Sequence, residues 1–160
     1  MKRLIPILAS TLLCLFTACS SNTVFDDEHT FDRNVWNRFT PEVYELNINN
    51  IEDYYNIDFT VAVDTTVYRY DEVPVIIELK APGGEQRQFY GHVVLREKGR
   101  WRGDMSDGFR VVTGRIRNYF SFNAKGRHQL EVRHTTSQYD LEGIHSLKVT
   151  VTRAKIDYNL

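Results

Sequence analysis

Residues 73–95 read VPVIIELKAPGGEQRQFYGHVVL, and this stretch decides the fold. Val73, Val75, Ile77 and Leu79 alternate with Pro74, Ile76 and Glu78, placing four apolar side chains on one face of an extended chain. Pro82-Gly83-Gly84 supplies a turn, and Phe89, Gly91, Val93 and Leu95 continue the face on the far side. Two alternating runs around a Pro-Gly-Gly turn predict a β-hairpin.

The same period recurs on both sides of the hairpin. Upstream, Tyr44, Leu46 and Ile48 form one set, and Ile57, Phe59, Val61 and Val63 another. Downstream, residues 109–113 and 115–122 read as two strands divided near Gly114. His128, Leu130, Val132 and His134 share one face after the Ala124-Lys125-Gly126 turn, and Leu147, Val149 and Val151 close the series. No stretch sustains a 3.6-residue period over ten positions. About seven to nine short antiparallel strands imply an all-β fold, a β-sandwich of jelly-roll or immunoglobulin-like type, with a closed barrel as the alternative.

The N-terminus predicts the compartment. Lys2 and Arg3 precede an apolar stretch that falls short of the roughly 20 residues of a membrane-spanning helix. It runs into Phe16-Thr17-Ala18-Cys19, apolar then small-small-Cys, the pattern of a bacterial lipobox. The expected organisation is therefore a lipoprotein signal peptide over 1–18, a lipidated Cys19 with a polar tether over 19–35, and a β-sandwich domain over 36–157. Cys14 leaves with the signal peptide, so the mature domain has neither free thiol nor disulfide. More than one acyl chain on Cys19 gives stable membrane attachment.

With Lys2 and Arg3 removed, 18 basic residues face 21 acidic ones, a net charge of −3. This mild acidity gives no electrostatic reason to bind nucleic acid. Asp26-Asp27-Glu28 reads either as part of a solvated tether or as a sorting signal for surface export.

Catalytic motifs are missing from the sequence. It contains no GxSxG, SxxK, P-loop or GxGxxG, so neither an enzyme nor a cofactor is indicated. His29, His92, His128, His134 and His145 match no metal-ligand spacing. His128 and His134 fall about 20 Å apart along a strand at roughly 3.3 Å per residue, too far to share an ion. Arg100, Trp101 and Arg102, in the Gly-rich segment 99–108, form the most unusual local cluster. Trp101 suits either an interface anchor flanked by directional donors or a cap on the sandwich end. Trp36, Tyr68 and Tyr70 are further candidates for protein or glycan contact, with Tyr68 and Tyr70 expected on one face.

Several of these segments, in this order, resemble the GldH family of gliding-motility lipoproteins of Bacteroidetes. They are the lipobox, Trp36, Tyr68-Arg69-Tyr70, Pro82-Gly83-Gly84, Gly99-Arg100-Trp101-Arg102-Gly103, the turn from Phe122 to Gly126, and Leu141-Glu142-Gly143-Ile144. Arg69 stands where the family often has Pro between the two tyrosines. The resemblance implies a non-enzymatic lipoprotein of the outer membrane, periplasmic or surface-facing, serving gliding and its linked secretion machinery. Its partners would be the membrane, through Cys19, and other envelope proteins; a glycan-binding lipoprotein of a polysaccharide-capture system is the rival reading.

Overall fold

The computed structural model describes residues 22–155. The signal peptide, Cys19 and the domain's expected end at 157 lie outside them. The 73–95 hairpin forms as its alternation requires: Glu72–Lys80 pairs antiparallel with Gln86–Val94, placing Val73 opposite Val93 and Ile77 opposite Phe89.

In chain order the strands are β1 (Thr23–Thr30), β2 (Val35–Asn37), β3 (Glu42–Ile48), β4 (Tyr55–Val63), β5 (Glu72–Lys80), β6 (Gln86–Val94), β7 (Arg96–Glu97), β8 (Arg100–Trp101), β9 (Asp104–Ser106), β10 (Phe109–Phe120), β11 (Gly126–His134), β12 (Asp140–Glu142) and β13 (Ile144–Arg153). All pairings are antiparallel. One sheet has the order β1-β13-β4-β10-β9 and the other β3-β11-β5-β6; β2 with β12 and β7 with β8 make two small ribbons.

With the short β9 left aside, eight strands carry the sandwich, and of the seven connections between them only β5–β6 stays within one sheet. The other six cross from sheet to sheet. That continual crossing is the jelly-roll plan rather than the immunoglobulin one, and the two separate sheets set aside the closed barrel.

Every alternating face read from the sequence points into the core: Tyr44, Leu46, Ile48, Ile57, Phe59, Val61, Val63, Val73, Val75, Ile77, Leu79, Leu130, Val132, Leu147, Val149 and Val151 are all buried. His128 and His134 share this inward face, so both histidines are core residues. A carbonyl only accepts, so the His134 Nε2–H donates to the Trp36 carbonyl at 3.0 Å, and its Nδ1 accepts from the Thr136 hydroxyl at 2.9 Å. Burial pushes the pKa of both imidazoles down, keeping them neutral.

Two expectations change. The tether expected over 19–35 belongs to the fold from Thr23 onward, so the sandwich begins there and not at 36. β1 lies along β13, with Asp26 opposite Thr150 and Glu28 opposite Lys148. Its acids are cross-strand partners: Asp26 accepts from Thr150 at 2.7 Å and pairs with Lys148 at 2.8 Å, and Glu28 accepts from Ser146 at 2.6 Å. The same strand touches the opposite sheet, where His29 stacks on Tyr44 at 4.2 Å and its Nδ1 lies 2.8 Å from Glu42.

Gly114 does not divide two strands either. It sits inside the continuous β10, where a Cβ would lie 3.2 Å from the Val93 Cα. A Cβ on Gly91 of β6 would likewise meet Ile116 of β10 at 2.7 Å. These two glycines let β6 and β10 close one side of the sandwich.

Candidate functional site

The register separates two ends of the sandwich. β1 enters beside Thr152 and Arg153, at the end that also holds Ile48, Asn49 and Tyr55. The opposite end collects residues 31–41, 64–71, 95–109 and 135–143, and there the sequence motifs meet.

Gly143 is the junction. Its N–H donates to the Asn34 carbonyl and its own carbonyl accepts from the Asp64 N–H, each at 2.8 Å. This joins the Trp36 ribbon to the loop carrying Tyr68. Leu141, two residues earlier, pairs with Trp36. Trp36 is fully buried, stacked on Phe31 at 5.2 Å and edge-on to His134 at 5.3 Å, so it presents no exposed platform.

The loop over 64–71 is built by Asp64. Its carboxylate accepts from the Thr66 hydroxyl at 2.6 Å and the Thr66 N–H at 2.9 Å, and its carbonyl from the Tyr68 N–H at 2.9 Å. Those Thr66 bonds hold the carboxyl below its usual pKa. Tyr68 then turns inward. Its ring is buried, its hydroxyl donates to the Glu72 carbonyl at 2.8 Å, and burial raises its pKa. Tyr70 packs edge-on against it at 5.7 Å, on the same side, but stays exposed.

Arg96 ties in the Trp101 cluster. Its guanidinium lies 4.0 Å above the Trp101 ring, with Nη1 donating to Asp71 Oδ1 and Nη2 to the Tyr68 carbonyl, both at 3.4 Å. Trp101 is therefore half-buried beneath a cation, and Arg100 and Arg102 point to solvent. Lys98 and Gly99 both have positive φ, which makes the tight turn between β7 and β8.

Around this junction lies an open groove of about 450 Å³ whose walls include Arg69, Tyr70, Gln138, Tyr139 and Glu142. Tyr139 and Phe39 are 66% and 71% exposed with ring centroids 5.4 Å apart. Exposed rings beside charged and amide groups are the chemistry of a recognition surface. Tyr70 is thus the aromatic candidate that the structure leaves in the groove. Phe39 and Tyr139 carried no sequence signal, lying 100 positions apart in irregular segments. A second groove, about 400 Å³, runs over the outer face of the five-stranded sheet, where His145 stacks on Phe109 at 4.0 Å.

Among known families, the GldH lipoprotein family matches residues 23–151, from the start of β1 almost to the end of β13. The chain belongs to the GldH lipoprotein family. No curated protein and no solved structure matches it. In this GldH chain, Trp36, Tyr68-Arg69-Tyr70, the Trp101 loop and Leu141-Glu142-Gly143-Ile144 come from four distant parts of the sequence and assemble one end of the jelly roll. Pro82 and Gly126, from two further motif segments, meet at the other end, where a Cβ on Gly126 would lie 3.3 Å from the proline ring.

Proposed function

We propose that this protein is a non-enzymatic lipoprotein of the outer membrane, held by lipid on Cys19, that works by protein–protein contact in gliding motility and its linked secretion machinery. The lipobox and membership of a lipoprotein family support the anchor. The contact surface is the end bearing Tyr70, Tyr139 and Phe39. One observation carries this reading: of the four motif segments that meet at this end, the two holding Arg69-Tyr70 and Leu141-Glu142 wall a groove in which the Tyr70 and Tyr139 rings are exposed.

A photo-crosslinking amino acid at position 139 in living cells tests it, with position 90, exposed on β6, as the control. The reading expects discrete envelope-protein adducts from 139 that are absent from 90. Equal adducts from both positions, or none from 139, would contradict it.

The glycan-capture reading draws on the same groove, because Tyr70 and Tyr139 lie beside Arg69, Asp140 and Glu142, side chains able to bond sugar hydroxyls. Retention on polysaccharide resin that Tyr139→Ala abolishes would favour it.

A further inference from the structure

Three residues, Ser20, Ser21 and Asn22, separate Cys19 from the first residue of β1. Fully extended, that leash spans roughly 14 Å from Cys19 to Thr23. The carbonyl of Asn22 already accepts from the Arg153 N–H at 2.8 Å, so the leash is committed to the end holding Tyr55 and Arg153. A domain of this kind, tethered so closely, brings that end to the lipid surface.

The side chains at this end fit such a surface. Ile51 and Tyr54, in the loop after β3, are 40% and 43% exposed. Tyr119 is 56% exposed at the end of β10, where the register with β4 shifts between Arg117 and Phe120. Its φ of 50° is a conformation that non-glycine residues seldom adopt. The bulge turns this ring outward while Phe120 beside it packs against the core. Tyrosines suit the boundary between lipid and water, with an apolar ring and a polar tip. Charges of both signs sit nearby, with Asp53 paired to Arg153 at 3.2 Å and Glu85 to Arg87 at 3.7 Å, so apolar contact rather than charge would seat the domain.

We infer that Ile51, Tyr54 and Tyr119 form a membrane-seating rim that rests in the bilayer interface and stands the jelly roll on end, its Tyr70–Tyr139 groove facing away from the lipid. This rests on the anchor at Cys19 and adds the orientation that the anchor imposes. The lipid bilayer is the occupant because the chain's own attachment emerges from this end.

The test uses the acylated full-length mature protein on phosphatidylethanolamine–phosphatidylglycerol vesicles. Nitroxide labels are placed singly through Ile51→Cys, Tyr54→Cys, Tyr119→Cys, Tyr90→Cys and Tyr139→Cys; acylation blocks the thiol of Cys19. All five positions are exposed, so the fold tolerates the label. On vesicles, labels at 51, 54 and 119 should gain oxygen accessibility and lose access to a water-soluble nickel complex several-fold, while 90 and 139 stay aqueous. Protein that floats with vesicles while all five labels stay aqueous would overturn the seating and leave the anchor intact. Insertion at 139 would overturn the orientation. Protein that fails to float would overturn the anchor reading and this one with it.

Discussion

The backbone of Tyr68 fills the space that a side chain on Gly143 would need: a Cβ there would sit 2.8 Å from the Tyr68 nitrogen and 3.2 Å from its Cα. Gly143 also has a φ of +85°. Both facts require glycine at this residue, whose backbone bonds hold the Trp36 ribbon and the Tyr68 loop together.

Gly143→Ala is therefore expected to lose about 1–3 kcal/mol from backbone strain alone, before any clash with Tyr68. A urea melt followed by circular dichroism measures this, and an unchanged midpoint would remove Gly143 as the junction of the site.

Gly91 and Ile116 offer a test of how the two sheets meet. Gly91→Ala should cost about 1–3 kcal/mol by overpacking, since its Cβ would lie 2.7 Å from Ile116 Cγ2. Ile116→Ala removes that atom. In a double-mutant cycle the two changes should couple by about 0.5–3 kcal/mol, with Gly91→Ala better tolerated in the Ile116→Ala background. Additive losses would place the β6–β10 contact elsewhere.

Stability should fall as the medium is acidified below pH 6.5. His128 and His134 have folded pKa values below the ordinary 6.5 of an imidazole because burial disfavours the imidazolium. Below 6.5 the unfolded chain binds protons that the folded chain refuses. Each histidine then removes up to about 1.4 kcal/mol per pH unit, until its folded pKa is reached. The carboxylates of Asp26 and Asp64, whose folded pKa values are lowered from 3.8, lose their contribution only in more acid solution. Thermal melts between pH 7.5 and 5 should show the decline, and His134→Gln should flatten it. A flat wild-type profile over this range would contradict the buried neutral assignment.

The two tryptophans should respond differently to truncation. Trp36→Ala empties a fully buried site and is expected to cost about 3–5 kcal/mol. Trp101→Ala removes a half-buried ring and a cation–π contact worth about 0.5–2 kcal/mol, leaving a folded domain in which Arg96 has lost its aromatic partner. Denaturant melts of both variants separate the cases; equal losses would mean that Trp101 is as much a core residue as Trp36.

What was legible in the sequence was whatever hydrophobic alternation encodes. The faces from Tyr44 to Ile48 and from Val73 to Leu79 predict both strand and buried side, because a half-buried strand needs period two. β1 escaped this reading because its fit to β13 is polar: Asp26 and Glu28 are matched by Thr150, Lys148 and Ser146, and no apolar stripe marks such pairs. Gly114 looked like a break because a missing side chain reads the same whether the chain turns or another strand comes close. Tyr68 and Tyr70 show the limit at the site. Their shared side was legible, but burial of the first and exposure of the second depend on the Asp64 turn and on Gly143, which lies 75 positions away from Tyr68. Phe39 and Tyr139 meet only through the β2–β12 ribbon, a long-range pairing that local pattern does not carry.

The anchor is the claim on which the proposed role and the seating of the domain both depend. Intact-mass and N-terminal peptide mass spectrometry of the protein purified from its native membrane tests it most directly. The account predicts a mature chain that begins at Cys19 and carries diacylglycerol on the thiol. A chain that begins elsewhere, or a Cys19 with an unmodified thiol, would contradict it.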